Sequence, residues 1–183
     1  LFICNQNHLY NLEYQMEEIL NKICPTGKII GIESHKLGPV YAVSKIYDML
    51  SPDEPTIVNY CDFTCYWDYK QFKNFIEATE CDGSIPSYRG FHPHTLWSNY
   101  YAYVQEKNGW VFNIQEKQPF TDTPQQEFAS SGTYYFASGA LMKKYFERTM
   151  SEKLMVNNEY YVSMVYKPML ADKLKITVYE LEH

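Results

Sequence analysis

The chain has 183 residues, 45% of them hydrophobic and 21% charged, a length that suits one packed domain and a balance too apolar for disorder. Lys and Arg number 16 against 22 Asp and Glu, a formal charge of −6, so no basic field is available for a phosphate backbone and nucleic acid is excluded as a partner. No apolar run approaches the roughly 20 residues that span a bilayer, and Leu1-Phe2-Ile3-Cys4-Asn5 lacks the charged start of a signal peptide. The expected location is therefore cytoplasmic.

Leu1-Phe2-Ile3-Cys4 reads as a strand, after which Leu9, Leu12, Met16, Ile19, Leu20 and Ile23 recur at helical spacing. Pro25-Thr26-Gly27 stops that helix. Lys28-Ile29-Ile30-Gly31-Ile32 is a second strand, and Gly38 to Leu50 places Val40, Val43, Ile46, Tyr47 and Leu50 on one helical face. Thr56 to Cys61 is a third strand, rich in β-branched residues, and Tyr69 to Ala78 a third helix. Three strand-then-helix units predict an α/β sheet that is largely parallel. After residue 80 the pattern changes. Strands are expected over Gly83–Tyr88, Tyr100–Glu106, Trp110–Glu116 and Gly132–Phe136, with Lys107-Asn108-Gly109 as a hairpin turn between the middle two. Helices over 138–149 and 158–170 and a strand over Lys175–Tyr179 complete the chain. Neither a repeat nor a low-complexity linker interrupts it, so residues 1–183 are read as a single domain.

The five cysteines, Cys4, Cys24, Cys61, Cys65 and Cys81, show no ligand spacing beyond the lone Cys61-x-x-x-Cys65 pair, and free thiols are expected. The 18 tyrosines suit either a half-buried sheet surface or a cleft that stacks rings and bonds hydroxyls.

In open α/β sheets ligands bind beyond the carboxyl ends of the strands. Asp62 stands at such an end, where a carboxylate suits a hard divalent cation or, equally simply, caps the next turn. Glu116-Lys117-Gln118-Pro119 ends a strand in an acid and a base. The lysine can hold a phosphate and the glutamate can accept from hydroxyls, or the two form a solvated charge pair. Gly132, at a strand start, permits close approach of a ligand or marks a bulge. Gly90-Phe91-His92-Pro93-His94 presents two imidazoles on a rigid turn, a weak metal signal in the absence of a third ligand. Ser34-His35-Lys36-Leu37-Gly38-Pro39 precedes a helix, with amides that could face a phosphate or a base edge.

In this order the segments resemble the sugar-phosphate nucleotidyltransferases, the nucleoside-diphosphate-sugar pyrophosphorylases, and the resemblance runs through nearly the whole chain. Val58-Asn59-Tyr60-Cys61-Asp62-Phe63 resembles the strand ending in the family's metal-binding aspartate, with Cys61 and Phe63 departing from the usual Gly-Asp-Asn context. Gly38-Pro39-Val40-Tyr41-Ala42 resembles the segment whose glycine approaches the nucleotide base. Glu116-Lys117-Gln118-Pro119 resembles the Glu-Lys-Pro motif that contacts the sugar and its phosphate, with Gln118 inserted. Phe128 to Phe136 resembles the following stretch, whose glycine starts a strand beside the sugar, and Asn158-Glu159-Tyr160-Tyr161 resembles the glutamate-bearing start of the late helix.

The resemblance implies a GT-A-like, three-layer α/β fold with a mixed sheet flanked by helices. It implies transfer of a nucleotidyl group from a nucleoside triphosphate to a sugar 1-phosphate or small phosphoalcohol, with release of pyrophosphate and with Mg²⁺, in bacterial surface-polysaccharide biosynthesis. Asp62 would hold the metal and Lys117 the attacking phosphate, both as catalytic groups. Gly38, Pro39 and Cys61 would lie at the nucleotide, and Glu116, Lys117, Gly132, Thr133, Glu159 and His92 at the acceptor. The family's initial strand and glycine-rich loop have no counterpart in these residues, nor does its later metal-binding aspartate, so the chain is expected to be truncated at both ends. Two alternatives remain: a GT-A glycosyltransferase, whose Asp-x-Asp pair is lacking at Asp62-Phe63-Thr64 although Asp68 is nearby, and a non-catalytic nucleotide-sugar-binding domain. Oligomeric state is not legible.

Overall fold

The computed structural model describes residues 1–90 and 100–181; His92 and its neighbours in the expected imidazole loop lie outside them. The first two apolar runs form β1 (Phe2–Asn5) and β2 (Ile29–Ile32), paired in parallel with Phe2 opposite Ile29 and Asn5 opposite Ile32. Between them lie α1 (Gln6–Leu9), whose first turn is capped by the Asn5 side chain accepting from the Asn7 amide at 2.9 Å, and α2 (Met16–Ile23). The next helix, α3 (Pro39–Ser44), opens on a proline at its first turn. It ends before the expected Leu50. The Ser44 hydroxyl donates back to the Tyr41 carbonyl at 2.7 Å, and the amides of Lys45 and Ile46 bond three residues back, tightening the chain into a 3₁₀ turn at Tyr47–Met49.

β3 (Thr56–Asn59) leads to α4 (Tyr69–Thr79), whose N-cap Asp68 accepts from the amides of Lys70 at 2.8 Å and Gln71 at 3.1 Å. Then follow β4 (Gly83–Tyr88), β5 (Ala102–Lys107) and β6 (Trp110–Glu116). The expected hairpin joins the last two, with Asn108 at φ 54° and Gly109 at φ 83°. A strand not expected from sequence, β7 (Phe128–Ser130), precedes β8 (Thr133–Phe136); with three residues it is too short for alternation to betray it. The chain closes with α5 (Gly139–Ser151), α6 (Val162–Ala171) and β9 (Ile176–Glu180). α6 starts later than expected because Asn157 and Asn158 adopt left-handed φ of 51° and 64°, which no helix continues through.

The main sheet has seven strands in the order β3-β8-β4-β7-β5-β6-β9, with β4 also paired to β9. Its pairing is mostly antiparallel, and β4 with β9 is the parallel pair. This corrects the parallel sheet expected for the first half, since β3 runs antiparallel to β8 and β1 and β2 form a separate two-stranded sheet. Local periodicity identifies strands, but their partners are chosen by distant segments.

Side-chain alternation divides the main sheet into two covered faces. Along β8, Tyr134 and Phe136 enter the large core with residues of α3, α5 and α6, whereas Tyr135 turns to Phe72 of α4. Along β5, Ala102 and Val104 face that core and Tyr103 the opposite side. Helices thus cover both faces, in the three-layer α/β arrangement expected. α5 and α6 pack onto this face through aromatic contacts: Phe136 and Tyr166 stack with centroids 5.2 Å apart, and Phe146 meets Phe136 edge-on at 5.6 Å. Each such side chain, fully buried, stabilises the fold by about 1.5–3 kcal/mol relative to exposure, giving the site described below a rigid base.

One edge of the assembly is open. Among the described residues β1 pairs only with β2, and β3 only with β8. Every residue of β4 and β8 is buried, but β1, β2 and β3 are half-buried at best. Ile3 of β1 nevertheless packs against the large core, and Cys4 lies within electrostatic reach of Cys61, just past β3.

Candidate functional site

β6 ends in Glu116, and Lys117 follows with a left-handed backbone at φ 58°, anchored by its amide donating to the Tyr101 carbonyl at 2.9 Å. In a continuing strand consecutive side chains would diverge to opposite faces. The reversal instead brings acid and base to the same neighbour, the segment that enters α6. Ser163 Oγ donates to Glu116 Oε2 at 2.6 Å, and Lys117 Nζ donates to Tyr161 Oη at 2.5 Å while lying 4.4 Å from that ring's centroid. The Tyr161 hydroxyl donates in turn to Glu159 Oε2.

The same segment is stitched to the start of α3. The Tyr160 amide donates to the Leu37 carbonyl at 2.9 Å, and the Val40 amide to the Tyr160 carbonyl at 3.1 Å. Gly38 makes this approach possible: its φ is 82°, and a Cβ there would stand 2.8 Å from both the amide nitrogen and the carbonyl oxygen of Tyr160. On the β3 side, the Val162 amide donates to Tyr60 Oη at 3.1 Å, and Thr133 Oγ1 donates to Asn59 Oδ1 at 2.6 Å. Gly132, at φ 75°, lies under the Tyr60 ring, and its carbonyl accepts from the Tyr60 amide at 2.9 Å.

Burial governs the electrostatics. It pushes the Glu116 carboxyl up to about 7, with Glu159 adding to the rise and the Ser163 hydrogen bond and the Lys117 charge opposing it. The Tyr161 hydroxyl is raised well above its ordinary value by burial, by its hydrogen bond to Glu159 and by the charges of Glu159 and Glu116. Tyr134 rises by burial and the nearby Glu116 charge. The cluster therefore combines a neutral phenol wall, a carboxyl poised to donate or accept near neutral pH, and an ammonium held at a fixed point.

Of the residues expected at a site, Lys117 and Glu159 are joined here by hydrogen bonds through Tyr161, and Glu116, bonded to Ser163, lies within electrostatic reach of both, with Gly38 and Pro39 adjoining at the start of α3 and Gly132 and Thr133 beside Tyr60 and Asn59. Asp62 and Cys61 are both exposed beyond β3; the Asp62 charge acts on Tyr101, whose carbonyl anchors Lys117. Among the described residues no three His, Cys, Asp or Glu side chains converge as metal ligands. Asp68 is committed to capping α4. Tyr134 belongs to the tyrosines between 100 and 135 that the sequence offers as an acceptor wall; Tyr60 and Tyr161 were signalled only by the tyrosine excess, and nothing in the sequence marked Ser163. A cavity of about 340 Å³ lined by Ile32, Glu33, Ser34, His35, Tyr41 and Lys45 lies past the end of β2, apart from the Glu116 cluster.

No family model matches the chain, and no curated protein matches it in sequence. Its fold is that of the nucleoside-diphosphate-sugar pyrophosphorylases. The crystal structure of such an enzyme from Vibrio cholerae superposes with a TM-score of 0.63, covering 92% of this chain and 69% of the other at 14% identity. An apo UDP-glucose pyrophosphorylase superposes at 0.64, covering 97% of this chain and 64% of the other at 15% identity. At these identities the likeness is one of fold, and this chain spans about two thirds of the length of those structures. Among the described residues no helix is long and apolar enough to cross a membrane.

Proposed function

We propose that this chain forms the acceptor-binding body of a nucleotidyltransferase that joins a nucleoside triphosphate to a sugar 1-phosphate or small phosphoalcohol and releases pyrophosphate. The observation that carries the reading is the convergence of Glu116, Lys117 and Glu159 at one edge of a pyrophosphorylase-like sheet, beside the start of α3. A phosphate oxygen of the acceptor attacks the α-phosphorus in line, the α–β anhydride bond breaks, and its electrons leave on pyrophosphate. Lys117 holds and orients the attacking phosphate. Glu116, with its carboxyl near neutrality, donates to or accepts from an acceptor hydroxyl.

Asp62, an exposed carboxylate, would hold a Mg²⁺ ion, a cation that proteins commonly bind through one or two carboxylates together with substrate phosphates. Bound there, the ion would supply neutralisation of phosphate charge. The triphosphate-holding loop belongs, in this reading, to a further strand of a longer polypeptide seated between β1 and β3; their two open edges support it. The reaction would take place in the cytoplasm and serve the assembly of a surface polysaccharide.

The test is pyrophosphate release by the longest polypeptide the gene supports, with each nucleoside triphosphate, Mg²⁺ and a panel of sugar 1-phosphates and phosphoalcohols. Release is expected with one triphosphate and one acceptor. Asp62→Asn is expected to abolish it, and Lys117→Ala to raise the acceptor KM and lower kcat together. Unchanged turnover in Asp62→Asn would overturn the metal assignment, and silence across the panel would overturn the reaction.

A further inference from the structure

Lysine is a flexible point charge with several rotatable bonds. At the end of β6 one would expect the Lys117 ammonium to sample many positions in water. It does not stand alone: Nζ donates to Tyr161 Oη at 2.5 Å and sits 4.4 Å from the ring centroid, and the Tyr161 hydroxyl in turn donates to Glu159 Oε2. A phenol has one proton to donate and lone pairs to accept with, so both bonds form at once and their directions are fixed. The backbone on either side of Tyr161 is anchored. Its neighbour Tyr160 is bonded to Leu37 and Val40, and Val162, the next residue, donates to Tyr60 and is fully buried in the core.

We propose that Tyr161 is a positioning residue that tethers the Lys117 ammonium to Glu159, so that the charge is already ordered before the acceptor phosphate arrives. The inference rests on the reading of Lys117 as the phosphate ligand. A preordered ammonium binds phosphate without first losing its rotameric freedom, so the tether acts on acceptor affinity and leaves the triphosphate alone. Nothing in the resemblance to pyrophosphorylases assigns this residue a role.

Tyr161→Phe keeps the ring and its packing and deletes only the hydroxyl. Two measurements on the same folded variants separate the tether from the reading it rests on. The first is trace acetylation of Lys117 in the absence of ligand, read by mass spectrometry. Labelling is expected to be faster in Tyr161→Phe than in the wild type; equal labelling would overturn the tether. The second is calorimetric titration with glucose 1-phosphate. Loss of the preordering predicts affinity weakened by up to about tenfold in Tyr161→Phe, because the ammonium must then be immobilised on binding, with a larger loss in Lys117→Ala. Weakening in Lys117→Ala with full affinity in Tyr161→Phe would overturn the positioning role and spare the phosphate site. Equal affinity in Lys117→Ala and wild type would overturn the phosphate site itself, and the positioning role with it. Glu159→Gln, which leaves Tyr161 in place with a neutral acceptor, is expected to shift both readouts in the same direction by less; no shift in either would count against Glu159 as the anchor.

Discussion

Glu116 shows how one side chain can carry both function and a stability cost. Its carboxyl rises from 4.5 to about 7 in the folded chain, mainly through burial. Between those values the folded state holds a proton that the unfolded state has released, so stability is full at low pH and falls as pH rises through the window. The loss is about 3 kcal/mol before discounting, from a shift of roughly two and a half units at about 1.36 kcal/mol each, and partial exposure of the residue reduces it. Glu116→Gln still accepts from Ser163 and cannot ionise. Urea midpoints at about pH 4.5 and pH 8 should therefore diverge in the wild type and coincide more closely in the variant; a wild type with no such slope would contradict the perturbed carboxyl. This residue was legible in the sequence as the acid of a strand-end pair, but its environment was not, because Ser163 lies far along the chain.

At the scale of elements, two short connections decide what the site looks like. The start of α3 and the entry to α6 are held together at Gly38, where a Cβ would collide with the Tyr160 backbone and φ is positive. Gly38→Ala is expected to cost about 2 kcal/mol or more, through strain and displacement of the Glu159–Tyr161 segment, and thermal unfolding measures it. The sequence marks this glycine by its place before Pro39 at a helix start; that its partner is Tyr160 is a tertiary fact. Asp68 is the converse case. It reads as a possible second acid near Asp62, yet its carboxylate is spent on two amides of α4. Asp68→Ala should lower stability by about 1 kcal/mol and leave nucleotide chemistry intact; a selective loss of nucleotide-sugar turnover would revive the glycosyltransferase alternative.

The whole molecule is unevenly consolidated. β4 and β8 are buried along their full length, whereas β1, β2 and β3 are half-buried strands that, among the described residues, each pair on one side only. α2 buries none of its residues, and Leu12 and Ile23 beside and within it are 91% and 71% exposed. Few buried apolar contacts and exposed backbone hydrogen bonds make local opening easy. Amide hydrogen exchange of this chain should therefore be fast in β1, β2, α2 and β3 and slow in β4, β8 and α6. Uniform protection across both sheets would show that the two open edges do not weaken the molecule.

Sequence alone indicated most of the strands and helices, because periodicity, caps and breakers are properties of neighbouring residues, but it missed β7, the early end of α3 and the break between α1 and α2. It also determined the order of motifs from Gly38 to Glu159, enough to indicate the fold. Tertiary structure decided the mostly antiparallel pairing of the main sheet and the separation of β1 and β2 from it. It also decided the company that Lys117 keeps, since pairing and hydrogen bonding join residues far apart in the chain. Tyr161 and Ser163 acquire their meaning only when α6 closes over the end of β6, a contact fixed by the packing of the core rather than by any local pattern.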